Sequence, residues 1–361
     1  MRPLPHLPGV LSARQARATA ARIAAVQQPS GAVPWFVGGH TDPWDHVQCA
    51  MGLTVGGRIA EARRAFAWSR AAQRPDGSWA IRYDGDSVDG DSVTDAGVDA
   101  NFCAYLATGV WHHWAVTGDR GFVEAMWPTV RAGIEVALTL QQPMGHVLWC
   151  RDGCGRPAGE ALLTGNASIH LSLRCAVALA ELVGEAAPAW ELDAARLRHA
   201  LDAHPELFAD RSRYSMDWYY PVLGGALPAE DAVARIDRRW DDFVVAGRGV
   251  RCVDDRPWVT GAETCELALA LDAAGRHHAA RAQLAAMQHL RDPDGSYWTG
   301  LVFTDGKRWP VERSSWTAAT VLLAADALTG TTGGNGLFRG EGLPSGRLAG
   351  VTEGACLCAT A

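Results

Sequence analysis

The chain has 361 residues, 48% hydrophobic and only 20% charged, which excludes general disorder and fits one large domain or two ordinary ones. Its formal charge of −7 runs against a nucleic-acid binder, which carries a basic face, and no apolar run reaches the roughly 18 residues of a membrane span. Prolines interrupt the first nine residues where a secretion signal would be continuously apolar, and most of the nine cysteines (Cys49, Cys103, Cys175 and Cys265 among them) sit in apolar helical patterns, so a cytoplasmic protein with reduced thiols is expected.

Taken in chain order, periodicity predicts twelve helices. The first runs from Ser12, a good N-cap, to Gln28; the second from Asp42 to Gly57; the third from Arg58 to Gln73, with Ala62, Ala65, Phe66 and Ser69 forming a one-sided stripe. An acidic loop over residues 76–97 contains Asp84, Asp86, Asp89 and Asp91, whose spacing is not that of a calcium loop and which reads as a flexible lid. The fourth helix, Asp99 to Gly118, is apolar nearly all round, the fifth, Asp119 to Gln142, amphipathic, and the sixth, Thr164 to Gly184, again apolar. The seventh spans Trp190 to Ala203. The eighth starts near Met216 and is interrupted by Pro221 and Gly224, and the ninth runs from Pro228 to Val244. The tenth covers Thr260 to Gly275, the eleventh Arg276 to Leu290, and the twelfth Ser315 to Leu328.

Odd helices are amphipathic, as an outer layer facing water must be, and even helices are apolar on most sides, as an inner layer must be. The expected fold is therefore all-α, an (α/α)6 toroid of six helical hairpins over residues 12–328. It carries an N-terminal extension over 1–11 and a flexible Gly-rich tail over 329–361, whose Cys356 and Cys358 lack further metal ligands. The competing arrangement is a plain two-domain helical protein. Four turns share a Gly–Trp punctuation, ending in Gly31–Trp35, Gly77–Trp79, Gly145–Trp149 and Gly295–Trp298. They read as fasteners between hairpins, and the ring gathers such turns around one cavity.

Of the 15 tryptophans, nine lie at the turns leading into even helices. Trp44, Trp218, Trp258, Trp309 and Trp316, with Tyr219, are the aromatic surfaces suited to a sugar ring or an isoprenoid chain. Acids occur at the same entrances: Asp45, Asp99, Glu160, Asp217, Glu263 and Glu312, with Glu266 further along the same face as Glu263 and Arg251 nearby. Any acid in a first helical turn also complements the helix dipole, and Thr260 with Glu263 matches a capping box, so structural readings stand beside the chemical ones. The Asp254-Asp255 pair reads as a surface network with neighbouring arginines. No Walker loop, GxSxG elbow or HExxH motif is present, and neither His pair has chelating spacing, so no metal or cofactor is expected.

Gln73-Arg-Pro-Asp-Gly-Ser-Trp79 is similar to the QW motif of squalene-type terpene cyclases, which share an α/α ring with prenyltransferase β-subunits; the DxDD acid motif and the zinc ligands of those families are missing. Asp99-Ala-Asn101-Phe-Cys-Ala-Tyr105, followed by Thr117-Gly-Asp119 and Trp127-Pro128, resembles the fourth and fifth helices of six-hairpin glycosidases of the glucoamylase and trehalase type. That resemblance implies an acid and a base in the turns before inner helices six and twelve, here Asp152 or Glu160, and Glu312, and an inverting mechanism. The expected function is a glycoside hydrolase acting on an oligosaccharide, with Glu312 as general base and Glu263 as acid, Glu160 and Asp217 as alternatives, and Trp44, Asp45, Asp99, Trp218, Tyr219, Arg251, Trp258, Glu266, Trp309 and Trp316 as substrate contacts. The other readings are an isoprenoid enzyme and a non-catalytic glycan- or lipid-binding ring.

Overall fold

The computed structural model describes residues 3–86 and 93–347. Six helices are buried nearly all round or abut such a helix: α2 (Pro43–Val55), α5 (Leu106–Thr117, preceded by the short α4, Ala100–Ala104), α7 (Leu163–Val183), α9 (Ser215–Leu223), α12 (Gly261–Ala273) and α14 (Ser315–Thr329). They form a closed circuit of contacts, α2 to α5, α5 to α7, α7 to α9, α9 to α12, α12 to α14 and α14 back to α2. Small residues let the tightest pair approach: a Cβ on Gly52 of α2 would strike the backbone of Ala319 on α14.

The intervening helices lie outside this circuit. They are α1 (Ala13–Val26), α3 (Ile59–Ala72), α6 (Arg120–Leu138), α8 (Pro188–Ala203), α10 (Ala229–Arg238) and α13 (His277–Ala286), each packed on one or two inner neighbours. The sequence explains the division. In α2, 12 of 13 residues are buried, whereas α3 buries only the stripe through Ala62, Ala65, Phe66, Trp68, Ser69 and Ala72. Ser12 caps α1 in a full capping box with Gln15, and Asp42 caps α2 through the amides of Trp44 and Asp45.

The Gly–Trp turns fasten hairpin to hairpin through their glycines. Gly31, Gly77, Gly145 and Gly295 all adopt positive φ and face the backbones of α3, α6, α8 and α1 respectively, so a side chain there is excluded twice, by conformation and by space. Three glutamines complete the joints. The carboxamides of Gln27, Gln73 and Gln141 each donate to the turn glycine's carbonyl and to a carbonyl of the facing outer helix, at 2.9–3.1 Å.

The all-α expectation is corrected by nine short strands among the described residues. Five of them, β5 (Val244–Val245), β6 (Gly249–Arg251), β7 (Trp258–Thr260), β8 (Gly300–Val302) and β9 (Lys307–Arg308), form an antiparallel sheet in sequential order. Strands of two or three residues are too short to display alternation, so they read as loop. The sheet matters for the site because β7 runs directly into α12. The helix predicted from Pro228 to Val244 stops at Arg238, where Arg239 leaves helical geometry and bonds Asp242 and Asp254 instead. A four-residue helix, α11 (Trp240–Phe243), then leads into the sheet.

At the other end of the ring, the stretch expected to open a loose tail is packed as far as it is described. Leu337 and Phe338 are buried, Thr332 bonds Asp326, and Arg339 bonds Asp272. Leu7 and Leu11, both in the expected N-terminal extension, also join the core. Most of the acidic segment through Asp89 and Asp91, and Cys356 and Cys358, lie outside the described residues.

Candidate active site

Acids from the starts of two inner helices, α2 and α12, come within electrostatic reach of one another. Asp45, in the first turn of α2, is buried and lies within electrostatic reach of Asp42, Glu266 and Glu263. Burial first, and then these three acidic neighbours, hold its carboxyl well above the usual carboxylate range. Glu263, in the first turn of α12, is also buried, and burial raises its pKa. Thr260 makes no side-chain cap, so the capping box does not form, and the Glu263 carboxyl is left beside Cys252 and Thr260.

One turn along α12, Glu266 is only 1% exposed and fully engaged. The Tyr219 hydroxyl donates to its Oε2 at 2.6 Å, and the Tyr220 hydroxyl and the Gln48 carboxamide each donate to Oε1 at 3.2 Å. Gln48 in turn accepts from the Trp316 indole at 2.9 Å. Burial pushes Glu266 up to about 7 against the pull of these donors. Tyr219, Glu266 and Trp316, expected as substrate contacts, are thus linked in one hydrogen-bonded chain, with Glu266 within electrostatic reach of Asp45. Trp44 forms the adjoining wall, packed edge to face on Tyr105 and Tyr220 with ring centroids 5.9 and 5.8 Å apart.

A cavity of about 420 Å³ opens beside Trp44, with Asp99 and Asp217 among its lining residues. Asp99 caps α4 and accepts from the Trp149 indole at 2.6 Å; burial raises its pKa to about 6. Asp217 accepts from the Thr164 hydroxyl at 2.5 Å, and burial raises its pKa too. A second cavity of about 430 Å³ adjoins the first, with Asp217 and Arg211 in the lining of both.

Other expected residues lie outside the hydrogen-bonded chain around Glu266. Glu160 is exposed and paired with Arg211 at 3.1 Å, in contact with water rather than with the buried acids. Trp218, only 3% exposed, is in the lining of the second cavity, stacked on Phe243 at 5.1 Å, with its indole donating to the Arg235 carbonyl. Arg251 is occupied by the Asp242 and Asp254 carbonyls and lies over Phe303. Trp258 and Trp309 meet edge to face at 4.7 Å on the sheet, with Trp309 54% exposed at the rim. Glu312 lies on the far side of Trp316, in a smaller cavity between α1 and α14. Its Oε1 accepts from the Trp35 indole at 2.7 Å and from Thr299 at 3.2 Å. Trp35 and Trp149 therefore hold carboxylates, whereas Trp79, bonded to the Ser69 carbonyl, stays a fastener.

Asp42, Gln48, Asn101, Trp149, Thr164 and Tyr220 were not singled out as site residues from the sequence. The spacing Asp42, Asp45, Gln48 along one face of a capped helix was the available signal. Asp254 and Asp255 pair with Arg239 and Arg213, as a surface network. Among the described residues no group of three or more His, Cys, Asp or Glu is placed to hold a metal, and no helix is long and apolar enough to cross a membrane.

A curated relative, the MMP endo-(1,4)-3-O-methyl-alpha-D-mannosidase of Mycolicibacterium hassiacum, is 60% identical over 357 residues, spanning 99% of this chain and 97% of the relative. The chain belongs to this glycoside hydrolase family. No protein-family model matches it. Solved structures agree in fold. A glycosidase in complex with glucose superposes with a TM-score of 0.66 at 19% identity, covering 88% of this chain and 97% of that one. The GH63 mannosylglycerate hydrolase of Thermus thermophilus, also with glucose, gives 0.65 at 16% identity, covering 85% and 98%. The architecture is thus that of the glycosidase toroids, and the isoprenoid and non-catalytic readings lose their ground.

The buried acids of this hydrolase give its stability a definite pH dependence. Asp45, Asp99, Asp217, Glu263 and Glu266 all have raised pKa values when folded, so the native state holds protons that the unfolded chain has already released. Stability contributed by such groups is complete below the unfolded carboxylate pKa and is lost as pH rises through the folded values, about 6 for Asp99 and about 7 for Glu266. Thermal melts should therefore show a higher midpoint at pH 5 than at pH 8. Glu266→Gln should flatten the part of the decline nearest pH 7; an unchanged slope in that variant would show that Glu266 does not titrate there.

Proposed function

We propose that this hydrolase cuts internal 1,4-linkages of a 3-O-methylated α-mannan, with Asp45 as proton donor and Glu263 as the base that activates water. The observation that carries the assignment is that Asp45, buried in the first turn of α2, lies within electrostatic reach of Glu263, buried in the first turn of α12. Two carboxyls sharing a low-dielectric site cannot both ionise easily, so the one with more acidic neighbours keeps the proton. Asp45 faces Asp42, Glu263 and Glu266, and is that one. Its proton passes to the glycosidic oxygen as the bond to C1 breaks. Glu263 takes a proton from the water that adds to C1, so the products are a shortened chain and a new reducing end.

The acid thus moves from Glu263, as read from the sequence, to Asp45, and the base from Glu312 to Glu263. Asp99, Asp217 and Glu312, each held by an indole or a hydroxyl, are placed to accept sugar hydroxyls. Trp44 and Trp149 offer ring faces, and Trp309 an exposed one at the rim. The circuit of inner helices with its outer partners is read as the (α/α)6 toroid of six hairpins, over residues 12–328. The relative's name supports the methylated mannoside as substrate and cleavage within a chain, and two adjoining cavities leave room for more than one sugar unit.

Incubation with 3-O-methylated 1,4-α-manno-oligosaccharides, followed by mass spectrometry, should release fragments of intermediate length early in the reaction. Release of single terminal units alone would replace the endo reading with an exo one. No cleavage of this substrate alongside cleavage of another glycan would overturn the substrate assignment.

A further inference from the structure

The cavity beside Trp44 is more apolar than a site for a plain sugar requires. Phe102, Leu148, Leu162 and Met216 line it, and Ile169 closes it behind. An unmodified mannose presents hydroxyls around its rim, and each one set against such a wall loses water without gaining a partner. A methyl ether changes the match. It removes an O–H donor, leaves an oxygen that only accepts, and adds an apolar cap whose burial is favourable.

The wall is also held rigidly. Asn166 bonds Val147 in both directions, accepting from its amide at 2.7 Å and donating to its carbonyl at 2.9 Å, and donates to the Leu162 carbonyl at 2.8 Å. Within the same lining two buried polar atoms are uncommitted among the described residues, the indole Nε1 of Trp44, a donor, and Oδ1 of Asn101, an acceptor on a residue only 6% exposed. A buried acceptor without a partner beside a preformed apolar wall suits a ligand that brings a methyl group and, next to it, a free hydroxyl.

We infer that this cavity is the pocket that reads the 3-O-methyl group, with Phe102, Leu148, Leu162 and Met216 around the methyl and Asn101 accepting from the neighbouring free hydroxyl of the same unit. The inference rests on the hydrolase reading above and adds the residues that set its selectivity.

The test compares two 1,4-α-manno-oligosaccharides of equal length, one 3-O-methylated and one not. The wild-type chain should favour the methylated one in kcat/KM by about 10- to 200-fold, the range a single methyl contributes in an apolar pocket. Met216→Gln and Leu148→Asn keep side-chain size and place an amide on the wall. Each should lower that ratio by about fivefold or more, through loss on the methylated substrate. Circular dichroism establishes that a variant is folded, and two positions are used so that one failure to fold leaves the other to decide.

Equal rates on the two substrates in the wild type, or an unchanged ratio in the folded variants, would overturn the inference. Cleavage of neither oligosaccharide would overturn the proposed mannan substrate instead. Calorimetry with methyl 3-O-methyl-α-mannoside and methyl α-mannoside then decides the pocket by itself. Tighter binding of the methylated sugar that is lost in Met216→Gln supports it, and equal affinities overturn it.

Discussion

Asp45→Asn should leave a folded protein whose turnover of oligosaccharides falls by about 10²- to 10⁴-fold, the usual contribution of a positioned general acid. Asn is nearly isosteric with Asp but has no proton to give to a leaving alkoxide. Folding should not suffer, because the change removes a carboxyl crowded by Asp42, Glu263 and Glu266. The melting midpoint at pH 8 should hold or rise relative to the wild type. The diagnostic readout is the leaving group. An aryl mannoside whose phenolate departs without protonation should be cleaved by Asp45→Asn at a rate near that of the wild type, while the natural linkage is not. A variant equally poor on both would show that Asp45 acts by binding or by holding structure, and would return the acid role to another carboxyl.

The helical ring was legible because its punctuation is local. Ser12, Asp42 and Asp99 cap helices where side-chain oxygens meet free amides, and Gly118, Gly184 and Gly330 end helices in the left-handed conformation. The inner and outer layers followed from how much of each helix is apolar. The sheet was not legible, since strands as short as Val244–Val245 carry no period, and neither was the break at Arg239, which depends on partners at Asp242 and Asp254.

The site divides in the same way. Apart from Asp42, read only as a helix start, the acids at the inner-helix entrances are visible in the sequence, but what separates them is tertiary. Glu160 and Glu263 look alike in the sequence, yet one pairs with Arg211 in water and the other lies buried beside Cys252. Asp45 and Glu263 are 218 positions apart in the chain and come within electrostatic reach only because α2 packs against α14 and α14 against α12. Trp218 was given a sugar-binding place because it abuts Asp217. In the fold the two share the lining of the second cavity, and the Trp218 ring is also stacked on Phe243, a partner 25 positions away that no local pattern announces.

The roles of Glu263 and Glu312 can be separated by replacing each in turn. Glu263→Ala removes the group proposed to deprotonate water and should reduce kcat by about 10²- to 10⁴-fold, with KM changed far less. The truncation also opens space where the carboxylate stood, so azide or formate should restore part of the rate with an activated substrate, a rescue that a merely structural residue does not give. Glu312→Gln is a different perturbation. Glu312 is fixed by Trp35 and Thr299 on the far side of Trp316, and as a sugar-hydroxyl acceptor it contributes about one hydrogen bond, so a loss of roughly tenfold, mostly in KM, is expected. The opposite pattern would invert the assignment. If Glu312→Gln abolished turnover while Glu263→Ala kept it, the base would lie at the entrance to the last inner helix, and the buried Glu263 would serve only to raise the pKa of Asp45. In that case the pH–rate profile of Glu263→Ala would lose its alkaline limb at a lower pH than the wild type, because Asp45 would have one acidic neighbour fewer.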